Sequence, residues 1–106
     1  MSDMSRITDM VLYVGSDLED EAIGRLNAWC AKNDQSRRQQ FVELDTDLAG
    51  GTKFSARQVW AMTGNFFPYE DLVEALPSFG WRHPEDVVLV VDDDEDYDGV
   101  KVHRPT

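Results

Sequence analysis

Val87-Val88-Leu89-Val90-Val91 places five apolar residues in succession, four of them β-branched. The run is too short for a free-standing helix and has strand composition, so it predicts a strand apolar on both faces. Asp92-Asp93-Asp94-Glu95-Asp96-Tyr97-Asp98-Gly99 follows as an acidic turn, and residues 100–103 return as a partner strand. Near the N-terminus, residues 7–14 form a first strand that is apolar on both faces from Met10 onward. Gly15-Ser16-Asp17 ends it and starts a helix over 18–32, with Ser16 or Asp17 placed to cap the first amides. Glu19, Asp20 and Glu21 lie where the helix dipole favours negative charge. Ala22, Ile23, Leu26, Trp29 and Cys30 fall on one buried stripe, Arg25, Asn27 and Lys32 face outward, and Asn33-Asp34 closes the helix.

The middle of the chain is more polar. After the link over 35–39, residues 40–45 alternate Val42 and Leu44 against Phe41, Glu43 and Asp45, the pattern of a half-exposed edge strand. A turn over 46–54 contains Gly50-Gly51, and a strand over 56–63 alternates Val59, Ala61 and Thr63 against Trp60 and Met62. Gly64-Asn65 is expected to break or bulge that strand. Pro68 introduces a second, shorter helix with Leu72, Val73 and Leu76 as its apolar face, and Pro77 stops it. The link Ser78-Phe79-Gly80-Trp81 is expected to tuck under the sheet edge.

The elements therefore run strand, helix, strand, strand, helix, strand, strand, in one α+β domain over residues 1–106. The first six elements, βαββαβ, resemble the split βαβ arrangement of ferredoxin-like domains, with a C-terminal hairpin strand added. The resemblance is of element order alone and implies an antiparallel sheet with two helices on one face. It says almost nothing about activity, because many functions share that layout. One consequence follows. Helices on one face leave the other in water, yet the first and fourth strands are apolar on both faces, and Trp60 and Met62 add to the third. Tyr13, Trp60 and Met62 are thus candidates for a pocket or a dimer face, and a homodimer is the expected cover.

Composition sharpens this reading. Twenty-one Asp and Glu against ten Lys and Arg give a net charge of −11, which repels phosphate backbones and anionic lipid. Nucleic-acid and membrane binding are disfavoured; solubility, or attraction of a basic partner, is favoured. The only basic grouping is Arg37, Arg38, Lys53 and Arg57, whose members start different strands and do not converge. One cysteine excludes an intrachain disulfide, and the first six residues lack a signal-peptide layout, so a cytoplasmic protein is expected.

Candidate chemistry is sparse. Residues 94–99 match the opening of a calcium loop, with Asp94, Asp96 and Asp98 as ligands and Gly99 at the turn. The completion is missing: Pro105 stands where the bidentate Glu belongs, and a solvated acidic hairpin explains the run more cheaply. Residues 49–53 have the flavour of a phosphate loop without its layout. His83 and His103 lack a partner at metal-ligand spacing, Cys30 reads as a core residue, and Glu43 with Asp45 reads as a solvated edge. No catalytic set and no cofactor is implied. The expected function is a small, acidic, non-enzymatic protein-interaction module, homodimeric, binding a basic protein through Asp92, Asp93, Asp94, Glu95, Asp96 and Asp98. The alternative is a ligand-binding or enzymatic domain with a pocket beside the sheet, lined by Trp60, Met62, Tyr13 and His83. Surface calcium binding is the weaker alternative.

Overall fold

The computed structural model describes residues 6–33, 40–44, 58–95 and 98–106. In chain order it comprises β1 (Ile7–Val14), α1 (Asp20–Asn33), β2 (Val42–Glu43), β3 (Gln58–Asn65) and α2 (Tyr69–Ala75). Short 3-10 turns at Leu76–Phe79 and Pro84–Asp86 then lead to β4 (Val87–Asp93) and β5 (Lys101–His103). The class is α+β: five antiparallel strands in the order β2-β3-β1-β4-β5, with two helices. β1 is the axis of the sheet, paired along both edges, with Val11 between Ala61 of β3 and Val90 of β4. The described part of the chain contains no helix long and apolar enough to cross a membrane.

Strand alternation then divides the side chains between two faces. Met10, Leu12 and Val14 of β1, Met62 of β3 and Val87, Leu89 and Val91 of β4 are buried. They share one core with Ala22, Ile23, Leu26 and Cys30 of α1 and with Leu72 of α2. Both helices therefore cover the same face, and each fully buried aliphatic side chain there contributes about 1.5–3 kcal/mol. Met62 belongs to this core and Trp60 packs against it, partly buried, on the same side. Neither joins Tyr13, which alternation puts on the helix-free face, so the expected grouping of Tyr13, Trp60 and Met62 on one surface is corrected. The cause is register: Trp60 pairs with Leu12 and Met62 with Met10, both core positions.

Several local expectations also change. α1 begins at Asp20, and Ser16 accepts from the Leu18 N–H (3.1 Å) in a turn ahead of it. Asn27 does not face outward; its side chain accepts from the Phe41 N–H (2.8 Å) and donates to the Phe41 carbonyl (3.1 Å). That double bond seats Phe41 in the core immediately before β2. Gly64 neither breaks nor bulges β3, since the register with β1 runs through it to Asn65. A Cβ there would lie 2.6 Å from the Phe67 Cβ, so any side chain would force that segment to shift. α2 ends at Ala75, and Pro77 sits in the 3-10 turn that follows, as its missing donor requires. Phe79 and Trp81 enter the core, and the Trp81 indole donates to the Leu76 carbonyl (2.7 Å). The αL residue Gly80 ends the turn, where Arg25 donates to the Phe79 carbonyl (2.8 Å).

Candidate interaction surface

β4 continues two residues beyond the apolar run, so Asp92 and Asp93 belong to the strand and not to the turn. Alternation sends them to opposite faces. Asp92 is exposed and pairs across the sheet with Asp9 of β1. Asp93 is buried, and it is removed as a residue of an exposed acidic contact. Arg6 donates to it through Nε (3.0 Å to Oδ2, 3.3 Å to Oδ1) and Nη2 (2.6 Å to Oδ2), and the Thr8 hydroxyl donates to Oδ1 (3.0 Å). Hydrogen bonding to Asp93 raises the Arg6 pKa above its ordinary value and outweighs the desolvation that lowers it. The Arg6 guanidinium also lies 5.7 Å from the centre of the Tyr69 ring. Asp93 thus anchors the start of β1 to the end of β4.

Asp94, Glu95 and Asp98 are exposed at the β4–β5 connection, while Asp96 lies outside the described residues. Among the described residues this connection brings no three metal-ligand donors together. Such a group occurs elsewhere: the donor atoms of His83, Glu85 and Asp86 lie within 4.8 Å of one another on the turn entering β4. His83 Nδ1 stands 3.5 Å from Glu85 Oε2. The trio is not legible in the sequence as a ligand set, because its spacing is that of a tight turn, not of a metal-binding helix or strand. Cys30 is buried in the core, as expected. The His103 Nε2 is buried without a hydrogen-bond partner among the described residues. Asp45, the loop over 49–53 and the basic residues Arg37, Arg38, Lys53 and Arg57 lie outside the described residues.

Glu19 is one of the three acids placed where the dipole of α1 favours negative charge. It is buried, and its carboxylate accepts from the Arg82 N–H (2.8 Å) and the His83 N–H (2.9 Å). This clamp fixes the segment ahead of β4 against the start of α1, and with it the position of Glu85 and Asp86.

The helix-free face of the sheet carries apolar side chains in rows that follow the strand registers. The strand registers align Val42, Ala61, Val11, Val90 and Val102 in one row across all five strands. Val42 is 64% exposed, Val102 59% and Val11 38%. A second row runs beside it through Val59, Tyr13 and Val88, extended by Leu44, which is 46% exposed. Asp9, Thr63 and Asp92 bound the rows at one end, where the Thr63 hydroxyl donates to Asp9 Oδ1 (2.8 Å). At the other end a cleft of about 460 Å³ opens between Tyr13, Val88, Val90, Glu85, Asp86 and Arg104. No protein-family model, no curated protein and no solved structure matches this chain.

Proposed function

We propose that this chain is a non-enzymatic protein-interaction module. In this reading two copies pair through the helix-free face of the sheet, and the pair presents its exposed acids to a basic protein partner. The observation that carries it is the aligned row Val42, Ala61, Val11, Val90 and Val102, which is apolar from edge to edge and open to water. Contiguous apolar surface of this kind marks interaction sites, and an isologous pair buries the same patch twice. Asp92, Asp94, Glu95 and Asp98 would steer a basic protein, and two copies would offer two such clusters at once. A split βαβ, ferredoxin-like layout with β5 added is part of the same reading. The element order and the position of β3 between β1 and β2, antiparallel to both, support it.

Sedimentation equilibrium over a concentration series tests the pairing. The expected result is a monomer–dimer equilibrium that Val102→Asp shifts to monomer without loss of folded structure. A chain that stays monomeric at every concentration would overturn the reading. For the partner contact, neutralising Asp92, Asp94, Glu95 and Asp98 is expected to slow association and flatten its salt dependence.

A further inference from the structure

The cleft beside Arg104 has a chemistry of its own. Its volume, about 460 Å³, falls within the roughly 300–1,000 Å³ of small-molecule sites. The floor is apolar, made by Tyr13, Val88 and Val90 from adjacent strands, with Tyr13 and Val88 in register. The charged groups around it have opposite signs. Glu85 and Asp86 come from the turn that enters β4, and Arg104 follows directly on β5. The Gly15 N–H donates to the Asp86 carbonyl (2.9 Å), tying that turn to the end of β1. Glu19, through the Arg82 and His83 amides, holds the turn from behind. Among the described residues Arg104 has no ion-pair partner, although two carboxylates line the same cleft.

Each simple class of ligand meets a mismatch here. An anion would face Glu85 and Asp86, a cation would face Arg104, and a wholly apolar molecule would desolvate all three without replacing their water. A molecule carrying both charges at its head and an apolar body satisfies every wall. We propose that this cleft binds a small zwitterion with an apolar body, of the class of α-amino acids with aliphatic or aromatic side chains. The ligand carboxylate pairs with the Arg104 guanidinium, whose planar fork suits two-point recognition. The ammonium group lies toward Glu85 and Asp86, and the side chain rests on Val88, Val90 and the Tyr13 ring. All of these residues belong to one chain, so the site needs no second copy. Because Val90 also stands in the row proposed for pairing, the titration that tests the site is run in the Val102→Asp variant as well, which removes the competing contact.

The test is a titration of the isotope-labelled full chain with L-leucine and with L-phenylalanine, followed through backbone amide shifts. Saturable shifts are expected at Tyr13, Gly15, Val88 and Val90, with dissociation constants of about 0.1–5 mM. Arg104→Gln, an exposed position whose folding the same spectrum checks, is expected to weaken binding by about tenfold or more. The amide of each amino acid, lacking the carboxylate, and the N-acetyl form, lacking the ammonium, are expected to weaken it likewise. No saturable shift up to about 20 mM, or shifts centred elsewhere, would overturn the assignment. So would equal binding of the parent and the two blocked forms, which would reduce the cleft to an apolar depression.

Discussion

Replacing Glu19 by alanine separates two accounts of one acidic residue. If Glu19 only complements the dipole of α1, its loss costs about 0.3–1 kcal/mol, as at any exposed first-turn acid. The geometry demands more. A buried carboxylate accepts two backbone N–H groups, from Arg82 and His83, and both lose their partner when it is removed. Orphaning the two donors costs about 1–3 kcal/mol each, less whatever water reaches them once the side chain is gone. An overall loss of about 2–4 kcal/mol is expected, a large part of the roughly 5–15 kcal/mol that holds a domain folded. Urea unfolding followed by the fluorescence of Trp29, Trp60 and Trp81 reads it as a midpoint lower by about 1–3 M. Glu19→Gln keeps one acceptor and turns an amide NH2 toward the other donor, so it should lose about half as much. Asp20→Ala, exposed in the first turn of α1, supplies the dipole-only control. A Glu19→Ala variant no less stable than Asp20→Ala would refute the clamp.

Three other substitutions probe the remaining joints. Gly64→Ala places a Cβ against the Phe67 Cβ and should cost about 1–3 kcal/mol, measured as a lowered thermal midpoint with an unchanged far-UV spectrum. Asn27→Ala removes both bonds to the Phe41 backbone and should cost about 1–3 kcal/mol in urea, with faster amide exchange at Phe41 as its local signature. Thr8→Val removes the shorter of the two bonds to Oδ1 of buried Asp93, leaving Arg6 Nε at 3.3 Å, and should cost about 1 kcal/mol, whereas Asp94→Asn on the exposed connection should stay within about 0.5 kcal/mol of the parent.

The sheet and α1 were legible because apolar periodicity is a direct record of burial. The run over 87–91, the run over 10–14 and the stripe through Ile23, Leu26 and Cys30 each name their element and its inward face. The acids were not legible in the same way. In a row of carboxylates, Asp93 looks like Asp92 and Asp94, and in another row Glu19 looks like Asp20. For Asp93 a signal did exist: Val87, Leu89 and Val91 share its parity, so continuing the alternation two residues carries it inward. Asn27 also had one, four residues after Ile23 and beside the buried stripe. Glu19 had none, because its partners are amides 63 and 64 positions away along the chain. The separation of Tyr13 from Trp60 depends on pairing register, which a single strand's pattern does not contain.

The two edges of the sheet and its open face make opposite demands on a second copy. Among the described residues β2 has two residues and β5 three, so the described edges offer no long unpaired ladder of the kind that edge-to-edge association uses. The face, in contrast, exposes Val42, Val102, Val11 and Leu44 by 64%, 59%, 38% and 46%. Scaling the ~1.5–2 kcal/mol for complete burial of such side chains by these fractions gives about 3–4 kcal/mol per copy. A symmetric pair then gains about 7 kcal/mol, against an association cost of at least ~4 kcal/mol. The proposed pairing through this face would therefore be weak and concentration-dependent, with the charge deciding its strength. Each copy carries −11, and two such copies repel at long range while the apolar contact acts only at short range. Salt screens the repulsion and leaves the apolar contact in place, so raising ionic strength from about 0.02 M to about 0.5 M should strengthen the pair. Contact through the acidic ends of β4 would also gain from salt, but it would be insensitive to Val102→Asp on β5. Sedimentation equilibrium of the parent and that variant at both ionic strengths distinguishes them, and pairing that weakens with salt would refute an interface built on this row of valines.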